Sequence, residues 1–417
     1  MIVSTKQVAI LSLNNKGEGI AKIDNQVISI PGALPGEEVI VEFKNKNNAK
    51  LIEVIKPSFD RTAPICSHFT SCGGCTFQHL SEREYYNYKN SLLITAAERI
   101  GINKALIKEP IIIGPNSRRK ALFRVKASKK NVTIGFLEEK SHNLFDLKEC
   151  LLLAPEILSL LPKLKTIIRE VVSDILIEEV LITLSDTGID ITFYSKNFPS
   201  LTTQEALTNF ANKEDIGRLS FNIKGGITPV VSRKPIQLIL GNVHVDLPEI
   251  NFIQATKKAQ IYITERIIEL FKTSKNVLDL FCGCGTYSFP LAEYTKMHSV
   301  EGSSEMINTI KKASVNYNVK NITYEQRDLY NNPFLSQKLD KFDSIIINPP
   351  RNGAEPQIKQ IAASKVKNVI MVSCSLQSFI RDVSILINNG YKVEELGLVD
   401  QFFLTPHLEI LAVVTKE

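Results

Sequence analysis

The chain of 417 residues is 44% hydrophobic and 23% charged, too long for one ordinary core, so two to three domains are expected. No run reaches the roughly 18 apolar residues of a membrane span, and the N-terminus lacks a signal-peptide layout, so a cytoplasmic location is expected. A net charge of +6 is too modest to indicate nucleic acid without clustering, and seven cysteines in such a compartment suggest metal binding or catalysis rather than disulfides.

Residues 1–57 read as five short strands, at Gln7 to Leu13, Ile20 to Ile23, Gln26 to Ile30, Glu38 to Phe43 and Ala49 to Ile55. Turn signals at Gly17-Glu18-Gly19, Pro31-Gly32 and Pro35-Gly36 separate them, and five strands in so short a stretch predict a small barrel. Through Lys16-Gly17-Glu18-Gly19-Ile20-Ala21 and Leu34-Pro35-Gly36-Glu37 the segment resembles the TRAM module, an oligonucleotide-binding-like barrel attached to RNA-modifying enzymes.

From Asp60 to about Glu249 the pattern is mixed, with helices predicted at Glu82 to Ile100 and Pro155 to Val172 and a hairpin from Ala121 to Leu137. Around that hairpin Arg118, Arg119, Lys120, Arg124, Lys126, Lys129 and Lys130 occur without an intervening acid. Arg124 and Lys126 alternate with apolar Phe123 and Val125, which puts both charges on one strand face and suggests phosphate contact. From Asn251 onward helices and strands alternate. Strands are expected at Asn276 to Leu280, Met297 to Glu301, Ile322 to Arg327, Ser344 to Ile347, Val369 to Ser373, Tyr391 to Leu398 and Leu408 to Val414, forming a doubly wound α/β sheet.

Three motifs fall at the carboxyl ends of those strands, where such sheets bind ligands. Asp279-Leu280-Phe281-Cys282-Gly283-Cys284-Gly285-Thr286 is a glycine-containing loop without the three-glycine dinucleotide fingerprint or a phosphate-cradling lysine. Glu301, ending the next strand, is suited to ribose hydroxyls, and the pair reads as an S-adenosylmethionine site. Asn348-Pro349-Pro350-Arg351 is a stiff loop able to hold a flat base edge. Arg351 stands where an amine-methylating enzyme would carry a stacking aromatic residue. Cys374, at the end of the strand after that, is expected over the same cleft. A thiolate adding to carbon 6 of uracil would make carbon 5 nucleophilic enough to take a methyl group. Glu409 is the candidate base for the carbon 5 proton.

Cys66, Cys72 and Cys75, with Gly73-Gly74 allowing a tight loop, form a ligand set lacking one member, and Cys150 is the remaining cysteine outside the last domain. Zinc on four thiolates and a four-iron four-sulfur cluster both suit such a set. Cys282 and Cys284 are expected to be packing residues.

Taken together these residues resemble the RNA uracil-5-methyltransferase family, specifically its iron–sulfur branch acting on 23S ribosomal RNA, over essentially the whole chain. The resemblance implies a TRAM barrel at 1–57, a central iron–sulfur and RNA-binding α+β domain at 58–249, and a Rossmann-like methyltransferase domain at 250–417, acting as a monomer on RNA. It implies cluster ligands at Cys66, Cys72, Cys75 and Cys150. Contacts to S-adenosylmethionine are implied at Gln254, Phe281, Glu301, Asp328 and Asn348, with Cys374 the nucleophile and Glu409 the base. The tRNA-specific branch is similar in its catalytic domain but lacks the cysteine set, which ranks rRNA first. Asn348 replaces the family's usual Asp, Ser375 and Thr286 replace Asn, and Phe403-Leu404-Thr405-Pro406-His407 replaces a His-Thr-x-His-like run. These departures leave room for a rival reading, an RNA-binding or ribosome-assembly factor with weakened chemistry, against which Cys374 and Glu409 both stand.

Overall fold

The computed structural model describes residues 5–23, 26–43, 48–138, 141–224 and 226–417. At the N-terminus, two three-stranded antiparallel sheets close over one another, one ordered Thr5–Ala9, Glu38–Phe43, Ala49–Lys56 and the other Ser12–Leu13, Gly19–Ile23, Gln26–Ile30. Alternation along each strand turns Val8, Ala21, Ile28, Ile30, Val39 and Val41 inward to a private core. The expected first strand is broken after Ala9, where the chain turns from one sheet to the other.

The six-stranded central sheet runs Gly226–Ser232, Ile216–Ile223, Ile189–Ser195, Ile177–Leu184, Lys120–Ala127, Val132–Gly135. Helices Pro155–Val171 and Leu201–Lys213 bury Leu160, Leu164, Ile168 and Leu207 in the same core as Phe123, Val180, Phe193 and Phe221 of the sheet.

The C-terminal sheet is ordered Ile322–Gln326, Lys296–Glu301, Asn276–Leu280, Ser344–Ile347, Asn368–Ser373, Ile410–Lys416, Tyr391–Asp400, with Ile111–Ile112 added at the edge. The first five strands are parallel, and the apolar runs of the three inner ones, Asn276–Leu280, Ser344–Ile347 and Asn368–Ser373, are buried on both faces, as a sheet covered by helices demands. Ile410–Lys416 is antiparallel and lies between Asn368–Ser373 and Tyr391–Asp400. It starts two residues later than the expected Leu408, because 401–409 form an irregular loop over the carboxyl end of the sheet.

Helix Glu82–Arg99, capped by Ser81 accepting from the Glu84 N–H, buries Tyr85, Tyr88, Leu92 and Leu93 in the core of the C-terminal sheet rather than that of the central one. The barrel docks on this same layer. Gly17 lies so close to the Phe77 ring that a Cβ there would sit 2.2 Å from it, and Tyr88 Oη donates to the Asn14 carbonyl at 3.1 Å. No helix among the described residues is long and apolar enough to cross a membrane.

Glu37, fully buried, fastens the barrel to the segment that follows it. Its carboxylate takes the Leu34 N–H at 2.8 Å, the Ser58 N–H at 3.2 Å and two N–H groups of Arg61 at 2.5 and 2.8 Å. Burial alone would push its pKa up; the Arg61 bonds, the two backbone donors and the Arg61 charge together hold it below the ordinary 4.5. The pair therefore contributes stability above pH 4.5 and loses it as pH falls through the depressed folded value. Arg61→Met leaves that carboxylate buried and unpaired; thermal and urea unfolding at pH 7 should register a loss of about 3–5 kcal/mol, with a shallower acid limb than wild type below pH 4.5.

Candidate active site

The strand Asn276–Leu280 leads into a loop with three left-handed residues, Phe281 (φ 59°), Gly283 (φ 57°) and Gly285 (φ 85°). Glycine takes this conformation freely, whereas Phe281 carries strain there, a cost that surrounding contacts must hold in place. They are visible. Fully buried Asp279 accepts from Ser288 Oγ at 2.6 Å, Ser288 accepts from Ser299 Oγ at 2.8 Å, and Glu301 accepts from the Gly283 N–H at 3.0 Å. Burial, offset in part by the Ser288 bond and reinforced by the Glu301 charge, pushes Asp279 up to about 7. The second Glu301 oxygen accepts from Gly302 and Ser303 N–H groups at 2.7 and 3.1 Å. Much of the carboxylate expected to meet a ribose thus shapes the loop itself.

Across the loop the Phe281 ring meets that of Tyr330, centroids 5.6 Å apart, and Tyr330 Oη donates to the Gly353 carbonyl at 2.9 Å. Exposed Asp328 closes the turn beneath it by accepting from the Tyr330 and Asn331 N–H groups. Helix Ser288–Leu291, a single turn, follows the loop.

The antiparallel last strand fixes the catalytic candidates. Ser373 pairs with Ile410, so the next residue of one strand and the preceding residue of the other, Cys374 and Glu409, emerge side by side at the end of the sheet. Burial and the Glu409 charge push the Cys374 thiol up, while Arg351, hydrogen-bonded to it, pulls it down. A cleft of about 530 Å³ opens over Cys374 and is lined by Arg351, Ser375, His407, Arg99 and, from the barrel, Asn15. A larger cleft of about 800 Å³, between the central sheet and helix Ser304–Asn316, holds none of the candidate residues.

Glu409 is 3% exposed, and a chain of buried amides ties it to the cofactor side. Gln401 Nε2 donates to Glu409 Oε2 at 2.8 Å and to Gln254 Oε1 at 2.7 Å. Gln254 Nε2 donates to Tyr287 Oη at 3.0 Å, and Asn348 Nδ2 to the same hydroxyl at 3.5 Å. Gln254, Asn348 and Glu409, expected separately from sequence, are thus joined through Gln401 and Tyr287, which the sequence did not single out. A lone Gln in an irregular loop carries no periodic signal. Tyr287 had one, its place directly after the glycine loop.

The cysteines also converge. Segments 66–75 and 148–150 are tied by the Ser67 N–H on Glu149 at 2.6 Å and the Lys148 N–H on His68 Nε2 at 3.1 Å. Burial pushes Cys72 and Cys150 up and Cys75 up to about 12, and neighbouring sulfurs push further in the same direction: Cys66 and Cys150 on Cys72, Cys66, Cys72 and Cys150 on Cys75, and Cys66 on Cys150. The sulfurs take hydrogen bonds from the Gly74, Leu152 and Leu153 backbone and from Gln78. Among the described residues no three His, Cys, Asp or Glu side chains close to the shell of a single metal ion.

The basic segment divides. Arg119 is buried, donating to the Gln254 carbonyl at 3.0 Å and to Gln260 at 2.5 Å, and Lys120 Nζ donates to Asn251 at 2.6 and 3.0 Å. Arg124 is paired with Glu179 on the neighbouring strand. Arg119 and Lys120 build the junction beneath Gln254. Arg124, although paired, is exposed on the same strand face as Lys126, as expected, and Lys129 and Lys130 are exposed beyond it.

Residues 117–417 match the model of the tRNA (uracil-5-)-methyltransferase family and residues 1–45 that of the TRAM domain. The chain is 33% identical to an uncharacterized RNA methyltransferase of Agrobacterium fabrum, over 99% of this chain and 100% of that one. It is 30% identical to the 23S rRNA (uracil(1939)-C(5))-methyltransferase RlmD of Vibrio vulnificus, over 99% and 96%. In fold it is similar to the Pyrococcus abyssi tRNA (uracil-54, C5)-methyltransferase in complex with S-adenosyl-L-homocysteine, with a TM-score of 0.76, 21% identity, and 98% and 100% of the two chains covered.

Burial pushes the Glu409 carboxyl up to about 7, against the Gln401 hydrogen bond. The folded value lies above the ordinary 4.5, so the folded state holds its proton longer than the unfolded chain and loses stability as pH rises from 4.5 to about 7. Glu409→Gln removes that dependence. In thermal unfolding it should match wild type at pH 4.5 and exceed it at pH 8 by about 2–3 kcal/mol.

Proposed function

Because the chain belongs to the tRNA (uracil-5-)-methyltransferase family, and is thereby an S-adenosylmethionine-dependent RNA uracil C5 methyltransferase, we propose that its substrate is a uridine of 23S ribosomal RNA and that Cys374 and Glu409 carry the chemistry. The observation that carries this reading is the register that brings a thiol held by Arg351 beside a buried carboxyl poised near neutral pH. The rRNA assignment is supported by the four cysteines and by the relative that acts on 23S rRNA. The tRNA named for the structural relative is the alternative substrate.

When bound, S-adenosylmethionine supplies a methyl group on a positively charged sulfur. The loop 281–285, already shaped by Glu301, and the polar chain Gln254–Tyr287–Asn348 suit it, with Phe281 and Asp328 at its rim. Cys374, as thiolate, bonds to carbon 6 of the uracil, and the electron pair of the 5,6 double bond moves toward carbon 5 and the O4 carbonyl. Arg351 holds the sulfur's charge before attack and after release. Once carbon 5 is methylated, the Glu409 carboxylate takes its proton, the double bond re-forms, and the carbon 6–sulfur bond breaks with the pair returning to Cys374. A base with a pKa near 7 is matched to that step at neutral pH. Asn348, an amide where a carboxylate is usual, can donate and accept at a base edge without charge.

Cys374→Ala should yield neither product nor crosslink, whereas Glu409→Gln should accumulate a denaturation-resistant protein–RNA adduct bearing the transferred methyl group. RNA with 5-fluorouridine at the target should trap wild type in the same way. Normal turnover by Cys374→Ala would overturn the mechanism, and mapping 5-methyluridine in ribosomal and transfer RNA from cells with and without the gene identifies the substrate.

For the cysteines we propose an iron–sulfur cluster. Four cysteines on two segments held together, three of them close enough to feel a neighbouring sulfur's charge and accepting N–H bonds that would stabilise thiolates, fit such a group. Anaerobically purified protein should be brown with iron and sulfide in near-equal amounts, and Cys66→Ser or Cys150→Ser should bleach it. A colourless protein carrying one zinc would overturn the assignment.

A further inference from the structure

The loop that delivers Glu409 is held by a buried cation from a helix far away in sequence that packs on the same core. Lys89, on helix Glu82–Arg99, has no exposed side-chain surface, and its Nζ donates to Asp400 Oδ1 at 2.9 Å and to the His407 carbonyl at 2.6 Å. Asp400 ends the strand before the loop, and His407 lies two residues before Glu409, so one ammonium grips both ends. Tyr85, one turn earlier on the helix, donates to Asp400 Oδ2 and accepts the Leu404 N–H at 2.9 Å. Leu404 is left-handed at φ 58°, and its carbonyl accepts the Thr76 and Phe77 N–H groups at 2.7 and 3.3 Å. A loop with a strained residue at its middle, clamped by two side chains of a distant helix, has its shape imposed from outside.

We infer that Lys89 and Tyr85 are positioning residues for proton removal at carbon 5, acting through the 400–409 loop on Glu409. The inference rests on the assignment of Glu409 as the base. Neither side chain is among the residues lining the Cys374 cleft, and neither takes part in thiolate attack. Their loss displaces the carboxylate while Cys374 and Arg351, which follow other strands, keep their places. Misplacement of a reacting group by about 1 Å costs on the order of 100-fold in rate. The failure should therefore be specific to the last step, with addition and methylation intact.

Fluorinated RNA separates these steps, because its trapping needs attack and methyl transfer but no proton removal. Lys89→Met and Tyr85→Phe should be trapped by 5-fluorouridine RNA within about twofold of the wild-type rate, while turnover of ordinary RNA falls about 10- to 100-fold. With ordinary RNA both should build up the methylated, denaturation-resistant adduct expected of Glu409→Gln. Tyr85→Phe removes only a hydroxyl and decides the matter if Lys89→Met does not fold. Variants that release product at the wild-type rate, or that lose trapping and turnover in equal measure, overturn the positioning role while leaving the mechanism standing. A wild type that fluorinated RNA fails to trap, or a Glu409→Gln variant that releases product freely, overturns the mechanism first and the inference with it.

Discussion

The pairing of Ser373 with Ile410 is the constraint on which the site depends. Side chains alternate with a period of two along each strand, so slipping this register by one residue would send Cys374 and Glu409 to opposite faces of the sheet and destroy the site without altering the fold. The register is well determined. Val369, Met371, Ala412 and Val414 face one core and Ile370, Val372, Leu411 and Val413 the other, so a slip would exchange two fully buried sets. An antiparallel strand inserted into a parallel sheet is also what lets two strand termini meet, since a parallel partner would present its amino end at the far edge.

Burying charge beside that junction is costly, and the molecule offsets the cost by pairing. Lys89 and Asp400 are both fully buried; desolvation pulls the Lys89 pKa down and Asp400 opposes it. Such a pair adds little net stability over a well-packed apolar one, but it penalises every arrangement in which the partners separate. Its value lies in specifying how the helix, the cysteine-bearing segment and the catalytic loop fit together. Glu409 belongs to the opposite regime. It has a polar neighbour but, among the described residues, no cationic partner, and it remains buried as a carboxyl whose proton affinity is raised.

Much of this was legible in the sequence. Five parallel strands were readable as apolar runs bounded by turn residues, and Cys374, Glu301 and Asn348 stood at their carboxyl ends because such sheets put ligands there. What escaped was long-range. The segment from Glu82 to Ile100 reads only as a helix, and nothing in its sequence says that Lys89 points inward to meet an aspartate 311 residues away. Charge clustering around residues 118–130 suggested one phosphate-binding face, yet burial divides it: Arg119 and Lys120 turn in to hold the irregular segment leading to Gln254, while Arg124, paired with Glu179, stays exposed on the same strand face as Lys126. Sequence reveals the sign of a charge but not its partner. Gln401 escaped for a related reason, since an amide inside an irregular loop becomes meaningful only once the register brings Gln254 and Glu409 within its reach.

The docking of the barrel also decides where entropy is lost. With Gly17 seated against the Phe77 ring and Asn14 bonded to Tyr88, Asn15 stands at the mouth of the cleft over Cys374 as a fixed wall rather than as the tip of a swinging arm. A protein held in this way has little conformational freedom left to surrender, and the cost of fitting passes to the nucleic acid, whose strand must bend and release its base to satisfy a fixed spacing. Discrimination between RNAs then follows from how cheaply each can adopt that bend, so that folded shape is selected along with nucleotide identity.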